Sequence, residues 1–413
     1  MHDPSLAPLD VDHLSVADAA RHGGPAALAT ALQASRRDTL ATFSALEESL
    51  PGLTVPQSAE LNPPLWELGH IGWFQSYWLA RYPARDAGAA ADPDAPRLAA
   101  QRADADTLYD SSHVPHDTRW SLPLPDANTT RAELALQLET TLALLREAGD
   151  SDAALYFYRL ALLHEDMHHE AALYMAQALG VAISDARWQA APLPEPPPPL
   201  MLEARRWWLG SASGAGFAFD NELGAHEVNV GATHIDAQAV RWAEFLPFVE
   251  AGGYGEERWW SPAGRRWLSS HRPTAPRYLR RDGPGWQHWR HGHWQPLDLR
   301  EAACHLSHHE AEAWCCWAGR RLPSEAEWER CAASLPAAFR WGDVWEWTAS
   351  PFAPYPGFTP HPYRDYSAPW FDGRPVLRGA SFMTQPRMRH PRYRNYFPAD
   401  RNDVPAGFRS CAK

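Results

Sequence analysis

A chain of 413 residues, 45% hydrophobic and 21% charged, has room for two or three domains and the composition of a soluble globular protein. Its formal net charge of -12 argues against nucleic acid as the main partner. No apolar run reaches the roughly 18 residues of a membrane span, and the opening MHDPSLAPLDVDHLSVADAA lacks the basic and apolar regions of a secretory leader. Cys304, Cys315, Cys316, Cys331 and Cys411 form no C-x-x-C pair, which fits free thiols in a reducing compartment and makes the cytoplasm the expected location.

Residues 1–22 read as a loose terminus. From Pro25 to about Gly180 the text is helical. Apolar residues recur at helical spacing in 25–49, 61–81, 129–147 and 152–180, and four helices of that length predict an up-down bundle. Asn62-Pro63-Pro64 reads as a helix start and Gly180 as a helix stop. Residues 83–128, with their Pro, Asp and Ser, form a long connection. The run APLPEPPPPL at 191–200 is a semi-rigid spacer and a domain boundary. Beyond it, short apolar runs alternate with turn residues, as in VNVGATHIDAQAV and RPVLRGASF. Helical text appears there only at about 241–251, 307–319 and 323–334, so this half reads as a compact α+β domain with much irregular structure.

His164 and His168 stand four apart, about one helical turn, so both imidazoles project from one face. His70 lies in another helix, and a bundle can bring facing helices together round a metal in its core. Three histidines leave coordination positions open, as a catalytic centre requires. HEDMH also matches H-E-x-x-H, in which Glu165 would be the base of a zinc protease. The third protease ligand is missing: Tyr174 stands six residues after His168, and Glu195 and Glu203 lie beside or within the proline-rich spacer. Purely structural histidines are the other alternative. His169 points about 100° away from His168 and reads as surface or supporting, and Glu170 as a solvated or supporting carboxylate. Nine arginines from Arg364 to Arg409 crowd the C-terminal quarter, for substrate or interdomain contacts or simply as a solvated face. The 21 tryptophans include many core residues, and some are of the flat, electron-rich kind that attracts quaternary ammonium ions.

The pairing of PPLWELGHIGWF (63–74) with LLHEDMHHEAALY (162–174) resembles the DinB-type helical domain of the hercynine-directed non-heme iron sulfoxide synthases of the ergothioneine pathway. RRLPSEAEWERCA (320–332), WGDVWEWTASPFAPYPGF (341–358), VLRGASF (376–382) and AGFRSCA (406–412) resemble the formylglycine-generating-enzyme/sulfatase-modifying domain, a C-type-lectin-like fold. The resemblance covers roughly residues 25–412 in order. It implies a four-helix bundle over residues 23–188, a Pro-rich linker at 189–201 and a substrate domain at 202–413. It also implies Fe(II) held by His70, His164 and His168, and an O2-dependent reaction that attaches a chalcogen to the imidazole of hercynine, the trimethylated betaine of histidine. YRNYFP (393–398) matches the betaine-binding segment, which puts Asn395 and Tyr396 near hercynine; Phe397 and Arg401 are counted with them as substrate-binding. Formylglycine generation itself is not expected, because Cys411 stands alone in the C-terminal part of the domain.

Three departures from the family bear on the substrate. Phe397 stands where some members carry a carboxylate for γ-glutamylcysteine, and an apolar side chain forms no ion pair with an ammonium group. Phe352 stands where the same members carry an assisting tyrosine, and Ser111 and Ser112 where others carry a tyrosine pair. Tyr355, and after it Tyr109, are the remaining candidates for a catalytic proton donor. The LYDSS connection and the ending RHPRYRNYFPADRNDVPAGFRSCA most resemble the selenoneine synthase branch, which implies a selenosugar donor. The alternatives are cysteine or another thiol as donor, or a non-catalytic lectin-like binding protein with structural histidines. The expected partners are small molecules, with neither nucleic acid nor membrane, and the expected assembly is a monomer or small homo-oligomer.

Overall fold

Helix ends in the first half fall where the punctuation of the sequence puts them. In the computed structural model, which describes residues 15–214 and 216–413, α1 spans Val16–His22, α2 Pro25–Ser49, α3 Pro64–Trp78, α4 Ala105–Tyr109, α5 Ala127–Glu147 and α6 Asp152–Leu179. Pro64 opens α3, where its missing N–H costs nothing. Asp126 and Ser151 cap α5 and α6 by accepting from the Thr129 and Ala154 N–H groups at 2.7 and 3.2 Å. Gly180 ends α6 with φ at 72°, a left-handed turn that glycine makes without strain.

Two expectations need correction here. Residues 16–22 are not loose but helical, because Arg21 is buried and pairs with Glu222 at 2.7 Å while its carbonyl accepts from the Phe217 N–H. Residues 1–14 of that expected terminus lie outside the described residues. The order of the bundle also differs from a simple up-down arrangement. α2 packs chiefly against α6, and α3 against α5 and α6, whereas the chain neighbours α2 and α3, and α5 and α6, meet little. The long connection between α3 and α5, which the sequence shows, leaves the order of packing open, and helical periodicity alone does not decide it.

The second half is an α+β domain of short strands. β1 (Leu200–Leu202), β2 (Arg205–Leu209), β3 (His226–Val230) and β4 (Thr233–Ile235) precede α7 (Trp242–Glu250) and α8 (Pro262–His271). α8 adds a helix where none was expected; Ser261 caps it and Pro262 opens it, a start signal visible in the text. β5 (Leu279–Asp282), β6 (Gly285–Arg290) and β7 (His293–Pro296) form a meander. Then come α9 (His308–Trp317), β8 (Arg320–Arg321), α10 (Glu325–Ser334), β9 (Trp345–Pro351), β10 (Pro375–Gly379), β11 (Asn395–Tyr396), β12 (Ala406–Gly407) and β13 (Cys411–Ala412). The strands form sheets in the orders β1-β4-β13-β8 and β11-β10-β9-β12, the pair β2-β3 and the meander. Antiparallel pairing with β10 sets Asn395 opposite Leu377 and Tyr396 opposite Val376.

The halves meet along α6. Arg387 donates to Asp166 at 2.8 and 2.9 Å, and Ser35 donates to the same carboxylate at 2.6 Å. Glu170 accepts from Trp345, Ser381 and Thr384 at 2.7 to 2.8 Å. His169 is buried between Thr42 and Gln385. At the foot of α6, Gly180 faces Gly292 in the β6–β7 turn so closely that a side chain at Gly292 would meet the Gly180 carbonyl. One apolar cluster crosses the junction, from Leu28 and Phe157 to Trp345 and Phe408. No described helix is long and apolar enough to cross a membrane. Arg387→Met strands the buried Asp166 carboxylate and should cost about 3–5 kcal/mol in stability. Urea unfolding would read the loss, and adding Asp166→Asn to it should recover most of it.

Candidate metal centre

The three histidines come together between α3 and α6. One ligand atom from each of His70, His164 and His168 lies within 4.8 Å of the others, and the ring centroids are 4.5 to 5.1 Å apart. Each ring is held. His70 Nδ1–H donates to the Tyr109 carbonyl at 2.8 Å, and His168 Nδ1–H donates to Glu67 Oε2 at 2.5 Å. These bonds leave the Nε2 lone pairs free, as metal ligation requires. His164 stacks on Phe74 at 3.5 Å and His70 on Trp66 at 4.8 Å. Gly69 gives Tyr109 a flat seat, since a Cβ there would strike its ring at 2.3 Å.

Burial pushes His70 down to about 3 and His164 well below the ordinary imidazole range, and the charge of His168 acts in the same direction on both. These two rings are therefore neutral donors at neutral pH. Glu67 is held below the usual carboxylate range: burial opposes ionisation, but the charge and hydrogen bond of His168 outweigh it. A chain of hydrogen bonds runs on from Glu67 to Asn62 at 2.5 Å and from Asn62 to Arg119 at 2.9 Å. The donor set and its supports suit a divalent transition metal with open positions. Glu165 turns the other way, into an ion pair with Arg36 at 2.7 Å, so the base of the protease reading is not at the centre.

Two clefts adjoin the histidines. The first, about 500 Å3, is lined by His164, His168, Ser111, Ser112, Arg119, Tyr363, Asp365 and Trp370, with Tyr366 and Tyr396 at its border. The second, about 250 Å3, is lined by His168, Glu170, Tyr174, Trp345, Tyr393, Asn395, Phe397 and the same two tyrosines. Asn395, Tyr396 and Phe397 thus stand beside His168, while Arg401 lies over Phe397 at 5.3 Å and pairs with Asp403. Phe352 is buried beneath Tyr396, stacked at 4.0 Å.

The two tyrosines expected to donate a proton lie elsewhere. The Tyr355 hydroxyl is buried without a partner, its ring 3.9 Å below the Arg394 guanidinium and outside both clefts. The Tyr109 side chain opens on a separate pocket with Arg102, Glu133 and Gln137; its backbone carbonyl, not its phenol, serves the centre. Tyr363 instead stands edge-on to His164, ring centroids 6.1 Å apart, and lines the larger cleft. Sequence reading missed Tyr363, Tyr366, Arg119 and Glu67. Only Glu67 had a signal, its place three residues before His70 on the same helix. The cysteines give no reactive pair, and burial pushes the Cys411 thiol up to about 12.

Fold and site define a metalloprotein in which a helical bundle supplies three imidazoles and an α+β domain walls the clefts beside them. A family model described as Sulfatase-modifying factor enzyme 1-like domain matches residues 207–341. Relatives named Hercynine oxygenase, from Mycolicibacterium smegmatis and Mycobacterium tuberculosis, are each 31% identical to this chain, over 84% of it and 90% of their own lengths. A Formylglycine-generating enzyme of Streptomyces coelicolor is 34% identical over 157 residues, 35% of this chain and 50% of its own. The structure of PvdO from Pseudomonas aeruginosa aligns at 16% identity with a TM-score of 0.34, covering 51% of this chain and 92% of that one. The chain belongs to the hercynine oxygenase family and is an oxidoreductase.

Glu67→Gln should weaken Fe(II) or Co2+ binding roughly 10–100-fold, measured by anaerobic titration, because it loosens the grip on His168. Acid should also destabilise the metal-free protein. His70, at about 3, and His169, at about 4, both titrate below their ordinary value of 6.5. As pH falls from 6.5 toward 4 the unfolded chain takes up protons that the folded chain refuses, so stability present above 6.5 is lost through that window. Urea midpoints at neutral and mildly acid pH test this.

Proposed function

We propose that the protein is an Fe(II)- and O2-dependent enzyme that replaces an imidazole C–H of hercynine with a bond to sulfur or selenium. The observation that carries this reading is the convergence of His70, His164 and His168 beside an aromatic cavity containing Asn395 and Tyr396. When bound by the three imidazoles, Fe(II) would supply the O2 chemistry that side chains lack. The assignment of residues 23–188 to the metal-bearing bundle, 189–201 to the linker and 202–413 to the substrate domain belongs to the same reading. The unpaired cysteines support a cytoplasmic setting.

The chain's own residues have definable tasks. Trp345, Tyr174, Tyr393 and Phe397 offer the π-faces that attract a trimethylammonium group. Asn395 Oδ1 accepts from the Tyr396 N–H at 2.9 Å, which leaves its Nδ2 to donate to the hercynine carboxylate. On the other side, Arg119 supplies a fixed positive charge toward an anionic thiolate or selenolate; it packs 3.7 Å over Trp66, and its buried Nε has no partner. Burial pushes the Tyr363 phenol well up, so it stays protonated and can deliver a proton into the larger cleft, the role that sequence reading gave to Tyr355 and Tyr109.

Family membership supports a thiol donor, as in an ergothioneine-type sulfoxide synthase. The cleft supports a second reading, a selenosugar donor. Phe397 offers an ammonium group no carboxylate, while Ser111, Ser112 and the exposed ring of Trp370 offer hydroxyls and a flat face for a sugar. Iron-loaded protein is given hercynine and air with cysteine, γ-glutamylcysteine or a 1-seleno-sugar in separate arms, and mass spectrometry reads the products; the selenosugar reading expects a selenium-bearing adduct in the seleno-sugar arm. A product with thiols alone overturns the selenosugar reading, and no product or O2 uptake with any donor overturns the activity. Tyr363→Phe should lower kcat at least about tenfold with iron content unchanged, whereas Tyr355→Phe should leave kcat near that of the wild type.

A further inference from the structure

Apart from the three-histidine centre, three metal-ligating side chains converge in one other group among the described residues. His308, His309 and Glu312 stand in the first turns of α9, and one ligand atom from each lies within 4.8 Å of the others. Hydrogen bonding does not account for the cluster. His308 Nε2–H donates to the Thr348 carbonyl at 3.1 Å, which leaves Nδ1 as a lone-pair acceptor. That Nδ1 faces a carboxylate oxygen of Glu312 at 3.6 Å, two acceptors side by side and too far apart to share a hydrogen bond. His309 is nine-tenths buried, and its Nδ1 has no hydrogen-bond partner. Burial pushes His308 down to about 4 and also lowers His309, so both rings are neutral at neutral pH and each has one nitrogen lone pair to offer. The lone pair of His308 Nδ1 and the Glu312 carboxylate repel one another unless a cation lies between them, and the unpartnered His309 is placed to complete its coordination.

We propose that His308 Nδ1, His309 and the Glu312 carboxylate bind a second divalent transition-metal ion, of the zinc type, separate from the three-histidine centre. Two imidazoles and one carboxylate form a recognised zinc donor set, with a fourth position left for water. The Glu312 side chain is 39% exposed, which gives the ion a way in. Ser261 donates to the same carboxylate at 3.2 Å and orients it. The positive end of α9 opposes a cation, and the carboxylate of Glu310, which caps the same turn, offsets it. The His308 N–H donates to the Ala399 carbonyl at 2.9 Å, two residues beyond Phe397. The ion would therefore brace the foot of the segment that carries Asn395, Tyr396 and Phe397, a structural role rather than a catalytic one.

The test counts metal. Metal-free protein is saturated with Zn2+, freed of excess by gel filtration and analysed by mass spectrometry of the metal. Wild type should hold two equivalents. Glu312→Gln and His309→Gln should each hold one, with an unchanged circular dichroism spectrum. His164→Ala, which damages the other centre, should still hold one. Anomalous diffraction from zinc-loaded crystals should show a peak among His308, His309 and Glu312. A single equivalent in wild type, two equivalents in both Glu312→Gln and His309→Gln, or a second peak located elsewhere would overturn the proposal. None of these readouts depends on hercynine or on turnover, so this inference and the proposed activity stand or fall separately.

Discussion

Six of the seven residues from His164 to Glu170 are ionisable, and α6 runs through the middle of the molecule. Burying so many such groups in two helical turns is costly unless each is answered. Arg36 answers Glu165, Arg387 and Ser35 answer Asp166, and Glu67 answers His168. Thr42 and Gln385 take His169, while Trp345, Ser381 and Thr384 take Glu170. His164, pressed against Phe74, is left to the metal centre. The partners come from both halves, so the same requirement that builds the centre also fastens the α+β domain to the bundle.

Local features were legible in the text and relative placement was not. The spacing of His164 and His168 and the stop at Gly180 follow from helical geometry alone, and both appear in the fold as read. The neighbours of each helix do not follow from periodicity, because a connection as long as that between α3 and α5 permits more than one crossing. The tyrosines show the same limit. Tyr355 and Tyr363 lie eight residues apart in one irregular stretch, and nothing in their spacing says that one ring packs under Arg394 while the other reaches His164. His169 and Glu170 read as surface or supporting from the helix alone; the α+β domain covers and buries both, which excludes the surface alternative.

The two clefts share Met167, His168, Tyr366 and Tyr396, so ligands in them would meet at His168. The small cleft is mostly aromatic, whereas the large one carries hydroxyls, a carboxylate and Arg119. That division suits one cationic betaine and one polar, anionic partner, and it leaves the identity of the second partner to a few side chains around Phe397 and Trp370. A change of donor within the family could therefore proceed by exchange at the rim, with the histidines and their hydrogen-bonded supports untouched.

The pairing of Asp166 with Arg387 also has a consequence in time. The two residues are 221 positions apart, and the arginine lies near the C-terminal end. At roughly 5–20 residues per second on the ribosome, Asp166 waits on the order of ten to forty seconds for its counter-charge. Until then the carboxylate on the helix that bears two of the three ligands has only the Ser35 hydroxyl to answer it. Closing the bundle over Asp166 before then buries a charge without its counter-charge, a cost that favours a late final packing round the metal centre.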